Sequence, residues 1–309
     1  MNSIQHVTFG LILDDIVQYD GTTFMETLGG GGPQTAWGMA AALGDGASVG
    51  LVAGVGGDLN PDLLAPLQAA QINLEGLRIT RHPTPRAWQV TEKDGRRTQV
   101  WRTPTAILGD QLAKQWDVLP SAYHEAHAFH WGIHVEDDPP LFAHSLHSLG
   151  RYVSLEPFRP PSQPLISVDR QAIYRTCSIF SATQGELEAM LNGATSLRSE
   201  LEVFRAMGGE YWVIRKGANG AMVYEMASGQ SWSAPAYPVE VVDTIGAGNA
   251  FCGAFLARIH DGPQVALCHA LVAASYMIQQ VGLPAHLPAP QDYQQRWEGL
   301  WKQMLGQAF

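Results

Sequence analysis

The chain has 309 residues, 46% hydrophobic and 16% charged, enough to bury a sizeable core and suited to one large α/β domain over 1–309. A formal net charge of -10 argues against a nucleic-acid or anionic-membrane surface, because both require clustered Lys and Arg to displace counterions; a local basic pocket remains allowed. No window reaches the roughly 18 apolar residues of a membrane span, and the opening MNSIQHVTFG lacks a basic region followed by a long apolar run, so a soluble, cytoplasmic protein is expected.

Gln5 to Leu13 is a short apolar run bounded by Asp14 and Asp15 and predicts a first buried strand, with the carboxylates at its carboxyl end. In an open α/β sheet that end is the ligand side, although the plain reading of an Asp pair is a solvated turn. Leu28 to Gly44 begins with four glycines and continues as a small-residue helix from about Gln34, leaving backbone bare for a close ligand. Ser48 to Ala53 predicts a second strand, followed by Gly54 to Asp58 and a helix from about Asp62 to Gln71. Arg86 to Arg102 holds two β-like runs around the turn signal Lys93-Asp94-Gly95, with Trp88 and Trp101 either stapling this hairpin to the body or facing each other across it.

His124, His127, His130 and His134 form the densest histidine cluster. Ala126 to Gly132 reads as a strand, so alternation sends His127 and His130 to opposite faces, and no Cys or carboxylate completes a zinc-like spacing; core and strand-end histidines are the expectation, with His134 within reach of a substrate. A helix from about Leu141 to Leu149, a strand Tyr152 to Leu155 and the run Glu156-Pro157-Phe158-Arg159 follow. Cys177 to Leu191 predicts a strand and helix in which Glu186 is a first-turn carboxylate favoured by the dipole. Tyr211 to Arg215 and Ala221 to Tyr224 are strands around a glycine turn, and helices are expected at Pro263 to Gln280 and Gln291 to Leu305. Cys177, Cys252 and Cys268, widely spaced in apolar settings, are expected as reduced packing residues.

Val239 to Arg258 is the stretch around which the chain is organised: an apolar run to Asp243, a turn through Gly246 and Gly248, then apolar residues at helical spacing from Ala250. Strand, turn and helix in that order make an anion site, because the first helical amides lack partners and carry the positive end of the dipole. The phosphate-loop pattern is absent, and the dinucleotide fingerprint fails because position 251 is Phe.

Asp243 to Phe251, DTIGAGNAF, resembles the second signature of the PfkB family of carbohydrate kinases, D-T-x-G-A-G-D-x-F, whose last Asp is the catalytic base; here it is Asn249. Leu28 to Gly44 looks like the first signature, with Gln34 or Thr35 in place of its Asn. Gly54 to Asp58 stands where relatives carry V-G-x-D, Glu156 and Arg159 keep charges of an Asp-x-Asn-x-Arg run whose Asn is lost to Phe158, and Ser181 to Glu186 roughly matches N-x-x-E. These matches keep the family's order from Gly10 to about Gly282.

The resemblance implies the ribokinase-like fold: a doubly wound, mainly parallel sheet flanked by helices, with a small β lid from strands at about 14–28 and 86–102 that often pairs two subunits. It implies ATP, Mg2+ and a monovalent cation such as K+, with a sugar or nucleoside as substrate. By the same resemblance Asp14, with Asp15 close behind, and Gly30, Gly31 and Thr35 bind substrate; Gly246, Ala247, Gly248 and Asn249 form the catalytic anion hole. Lys216, Gly217 and Gly220 lie against the nucleotide, Glu186 helps hold the metal, and Asp243 borders the cation site. A carboxamide has no useful basicity near neutral pH, so Asn249 can position a hydroxyl but not deprotonate it. Three readings follow: an active or slow ATP-dependent sugar kinase in which another carboxylate such as Asp14, or the substrate's own phosphate, takes the proton; a silent relative that binds nucleotide or sugar; and an engineered inactive variant.

Overall fold

The computed structural model describes residues 3–93, 97–193 and 195–308 and arranges the alternating apolar runs into two sheets. The first third holds β1 (His6–Phe9), β2 (Ile12–Val17), β3 (Thr23–Gly29), α1 (Gly32–Leu43), β4 (Val49–Val55), α2 (Ala65–Ala69), β5 (Asn73–Ile79), β6 (Arg86–Thr91) and β7 (Arg97–Trp101). The middle holds α3 (Thr105–Gln111), β8 (Ala128–Ile133), α4 (Leu141–Ser148), β9 (Tyr152–Pro157), α5 (Ser167–Tyr174), β10 (Ile179–Thr183), α6 (Gln184–Leu191) and α7 (Leu197–Ala206). The last third holds β11 (Tyr211–Arg215), β12 (Ala221–Glu225), β13 (Gln230–Ala234), α8 (Ala247–Arg258), α9 (Pro263–Met277), α10 (Pro290–Trp301) and β14 (Leu305–Ala308).

The large sheet runs β14-β13-β12-β11-β10-β9-β8-β1-β4-β5, parallel from β11 to β5 and antiparallel at the β11 to β14 end. A sheet covered on both faces needs strands apolar on both sides, and β4, VGLVAGV, is buried along its whole length. Two cores result, one built with α1, α8 and α9, the other with α4 to α7. The α1 and α8 backbones approach closely because glycines stand at the crossing: a Cβ on Gly38 would lie 2.2 Å from the Ala250 carbonyl oxygen, and one on Gly253 2.1 Å from that of Thr35. Among the described residues no helix is long and apolar enough to cross a membrane.

The second sheet, β3-β2-β6-β7, pairs β2 with β6 in parallel and the other neighbours antiparallel. The expected single strand Gln5 to Leu13 is therefore two. Gly10, at φ 90°, breaks it in a left-handed conformation that a residue with a Cβ adopts rarely, and the chain passes from the large sheet into the small one. Asp14 and Asp15 consequently lie within β2 rather than beyond a strand end.

Four further expectations are corrected. Val239 to Asp243 forms no strand: the amides of Val242 and Asp243 bond to the Ile278 carbonyl, and Val241 and Val242 stay exposed. The Asp62 to Gln71 helix shrinks to a 3-10 turn at Pro61–Leu64 and the five-residue α2, ended by Gln71 at φ 61°. The last helix stops at Trp301, and Leu305–Ala308 adds an edge strand to β13. β9 runs on to Pro157, so Glu156 sits inside the strand, buried. Asp94 and Gly95 of the expected hairpin turn lie outside the described residues, though β6 and β7 pair as that hairpin requires. All three cysteines are free and buried.

Candidate active site

α8 starts at Ala247, one residue after Gly246, whose φ of 84° turns the incoming loop into the helix. The Ala247 amide bonds back to the Thr244 carbonyl at 3.3 Å, and Ala250 to that of Gly246 at 2.9 Å. The amides of Gly248 and Asn249, between them, have no backbone acceptor among the described residues, and both residues line a cavity of about 300 Å³. That leaves two donors at the positive end of a three-turn helix, the local requirement for holding an oxyanion. The cavity opens at the carboxyl ends of β1, β8, β9, β10 and β11 and is covered by β2, β6 and β7. Ligands collect at this edge of open α/β sheets.

Along β2, alternation separates the two aspartates. Asp14 faces the cavity, 2% exposed, with Oδ1 accepting from Gln89 Nε2 at 2.9 Å. Burial pushes its carboxyl up to about 6, against the opposing effects of the Gln89 hydrogen bond and the Arg97 charge. Asp15 does not line the cavity: its Oδ1 accepts from the Glu26 amide and its Oδ2 pairs with Arg102. The turn leading into α1 links Asp14 to Asn249. A Cβ on Gly29 would meet Asp14 Oδ2 at 1.9 Å, and one on Gly31 would lie 3.6 Å from Asn249 Oδ1. Both side chains thus border one glycine turn, and Gly30, Gly31, Gln34 and Thr35 complete that wall.

At the other end Arg215 bridges two carboxylates, with Nη1 2.7 Å from Glu156 Oε2 and Nη2 3.5 Å from Glu186 Oε2. Burial opposes ionisation of Glu156, but Arg215 and His130 prevail and hold its carboxyl at about 2. Arg215 Nη1 would lie 2.2 Å from a Cβ on Gly248, so the guanidinium rests against the first turn of α8. Glu186 caps α6 from its third position: its amide donates to Thr183 Oγ1 and its Oε2 accepts from the Thr183 amide at 2.7 Å. Burial raises its carboxyl, with Arg215 opposing. The dipole-side reading of Glu186 is therefore realised, and the same residue lines the cavity.

Sequence distance hid the surroundings of His130. Glu156 and Cys252 bring ligand atoms within 4.8 Å of one another and of His130, although no such spacing exists along the chain. Arg215 already supplies the cation on that carboxylate, and His130 Nδ1 is bonded to Ser154 Oγ at 2.9 Å. His134 pairs instead with Glu136 and Arg159.

Of the site residues expected from sequence, Asp14, Gly30, Gly31, Thr35, Glu186, Gly246, Gly248 and Asn249 share the cavity wall. Ala247, Asp243, Lys216, Gly217 and Gly220 do not line it. Lys216 to Gly220 form the turn past β11, where a Cβ on Gly220 would meet the Ala234 carbonyl oxygen at 2.0 Å. Asp243 is buried, its Oδ1 accepting from the Ile245 amide at 3.1 Å while Oδ2 has no hydrogen-bond partner among the described residues; burial raises its carboxyl. Sequence reasoning missed Gln89, Arg97, Trp101, Lys114 and Arg215 in the wall. For the residues of the small sheet a signal existed, since Arg97, Gln99 and Trp101 share one face of β7, and Gln89 lies opposite Gln99. The same pairing puts Trp88 and Trp101 on opposite faces: Trp101 lines the cavity, and Trp88 lies 5.1 Å under the Arg102 guanidinium, so they do not face each other.

A family model described as pfkB family carbohydrate kinase matches residues 6–290. Among curated proteins the chain is 24% identical to the cytidine kinase of Thermococcus kodakarensis over 240 residues, 77% of this chain and 83% of that one. Among solved structures it superposes on the nucleoside kinase of Methanocaldococcus jannaschii with a TM-score of 0.72 at 19% identity, covering 97% of this chain and 100% of that one. An Escherichia coli protein provisionally called ribokinase II, solved with ATP and Mg2+, gives a TM-score of 0.73 at 17% identity over 96% of this chain and 100% of that one. These likenesses show the ribokinase-like fold.

Proposed function

The chain belongs to the pfkB family of carbohydrate kinases, and from that premise we propose that it transfers a phosphoryl group from ATP to an alcohol of a sugar or nucleoside, slowly, because Asn249 stands where the family's base stands. The observation that carries this reading is the convergence of the two free α8 amides, Asn249 and Asp14 on one cavity. Phosphoryl transfer asks a protein mainly for positioning and for stabilisation of growing negative charge, and preorganised amides at a helix start supply both.

The acceptor hydroxyl is held by Asn249 and by Asp14, whose Oδ2 borders the same glycine turn. A carboxyl titrating at about 6 is ionised at neutral pH and still basic enough to take the hydroxyl proton, whereas the Asn249 carboxamide is not. The Gly248 and Asn249 amides meet the developing charge on the phosphoryl oxygens, and Arg215, fixed by Glu156 and Glu186, adds a positive charge beside them. Asp14 approaches from the lid rather than from the helix start, so its proton transfer is less well aligned with the incoming phosphoryl group, and the rate is low.

The residues present also fit the ions of such a reaction. Glu186 Oε1 has no partner among the described residues and belongs to the cavity wall, which suits a divalent cation. Asp243 Oδ2, buried without a partner among the described residues, suits a monovalent cation such as K+. Mg2+ held there would supply positive charge that offsets the negative charge of the nucleotide phosphates. Lys216, Gly217 and Gly220, outside the cavity, are proposed to border the nucleotide beyond it. The small sheet serves as the lid within a single domain over 1–309, and its outward face, with Val100 half exposed, is the proposed contact of a homodimer, which sedimentation velocity would read.

Asn249 itself favours a second reading, a silent module that binds nucleotide or sugar without transfer. Single-turnover transfer of labelled γ-phosphoryl from ATP·Mg2+ to a panel of sugars and nucleosides separates the two. Product above the protein-free rate supports the phosphotransferase, and nucleotide binding with no product supports the module.

A further inference from the structure

Lys114 lies between α3 and β8 and lines the cavity, as do Phe9, Leu112 and Trp131. An ammonium carries three donors, and this one spends a single donor on the Leu112 carbonyl at 3.1 Å; among the described residues no carboxylate stands within ion-pair distance of it. Lys114 is partly buried without a counter-ion among the described residues, which is costly for a cation, and burial pulls the amine down to about 8. On the lid, Arg97 is presented on the cavity face of β7, where its charge acts on both Asp14 and Asp243 without forming an ion pair with either. The remaining cation of the wall, Arg215, is already satisfied by Glu156 and Glu186.

Lys114 is poorly placed for nucleotide phosphates. Leu112, to which it is tied, has its Cδ2 3.7 Å from the position of a Cβ on Gly10, at the end of β1. β11, which leads into the Lys216 turn, is four strands away in the sheet order, roughly 19 Å at about 4.8 Å per strand. The hydroxyls of a neutral polyol are served by Asp14, Gln89 and Asn249, and they give no reason for an uncompensated ammonium at this end.

We propose that the acceptor substrate is a polyol that also bears an anionic group, a carboxylate or a phosphate, met by Lys114 beside the end of β1 and by Arg97 from the lid. This rests on the phosphotransferase reading and narrows its substrate class. A charged oxygen acceptor in a partly dehydrated pocket gains more from an ammonium than a hydroxyl does. The lid then contributes to specificity as well as to closure, because Arg97 reaches the anion from β7.

The test is isothermal titration without nucleotide, at low salt and neutral pH, using matched neutral, aldonate and 6-phosphate forms of glucose, galactose and mannose. In at least one set an anionic member should bind about tenfold or more tighter than the neutral sugar. Lys114→Met should erase that preference while leaving the neutral affinity in place, and Lys114→Arg should retain most of it. Which anion wins distinguishes carboxylate from phosphate recognition. Equal binding of neutral and anionic members, no binding of any anionic member at millimolar concentration, or a preference that survives in folded Lys114→Met overturns the proposal. The parent's own comparison stands even if a variant fails to fold. Because no nucleotide is present, a protein that binds the anionic sugar yet transfers no phosphoryl group overturns only the phosphotransferase reading.

Discussion

Replacing Asp14 by Asn removes a charge while keeping the shape, and its effect should depend on pH in a defined window. Asp14 is 2% exposed and its carboxyl is raised from 3.8 to about 6, chiefly by burial. A rise of that size corresponds to about 3 kcal/mol of preference for the protonated form in the folded state. Because the folded value lies above the unfolded one, the associated stability is fully present below about pH 4 and is lost as pH climbs through about 6. Asp14→Asn has no proton to lose. Its stability relative to the parent should therefore rise by about 3 kcal/mol between pH 3 and pH 8, or about 1 M in urea midpoint at a slope of about 3 kcal/mol per M. Urea unfolding of both proteins across that range is the assay. A difference that stays flat would show that Asp14 is not held in the desolvated site described. In the same window the parent's transfer rate should rise with an apparent pKa of about 6, and the variant's should be low throughout.

Other perturbations address separate parts of the molecule. Gly253→Ala drives a Cβ to 2.1 Å from the Thr35 carbonyl, so it should destabilise by about 1–3 kcal/mol in denaturant melts; an unchanged midpoint would mean that α1 and α8 can part freely. Glu200→Ala strips the buried Arg170 guanidinium of its 2.7 Å partner and should cost about 3–5 kcal/mol, with specific transfer activity of the folded protein unaffected because the pair lies outside the cavity. Asp243→Asn should abolish any acceleration of transfer by K+ over tetramethylammonium, and an identical K+ response in the variant would remove Asp243 from the cation site.

The periodic parts of the fold were legible. β4 and the helices around it declare themselves through apolar runs and small-residue spacing, and Gly246 to Phe251 marks the start of α8. What failed were places where the chain is redirected: Gly10 splits an apolar run between two sheets, and Val239 to Asp243, although it holds three valines, finds no neighbouring strand. Within the cavity, the residues on the glycine turns were found because bare backbone has a sequence signature. Arg215 and Lys114 were not, because a single charged side chain acquires its meaning only from what the fold packs around it, here two distant glutamates for one and a backbone carbonyl for the other.

The most direct test of the central claim compares single-turnover phosphoryl transfer by the parent and by Asn249→Asp, on the sugar and nucleoside panel and its anionic forms. The account predicts slow but measurable transfer by the parent, and a gain of about 10² to 10⁴ when a carboxylate returns to the start of α8 beside the free amides. No transfer by either protein, together with no binding of ATP·Mg2+, would contradict it.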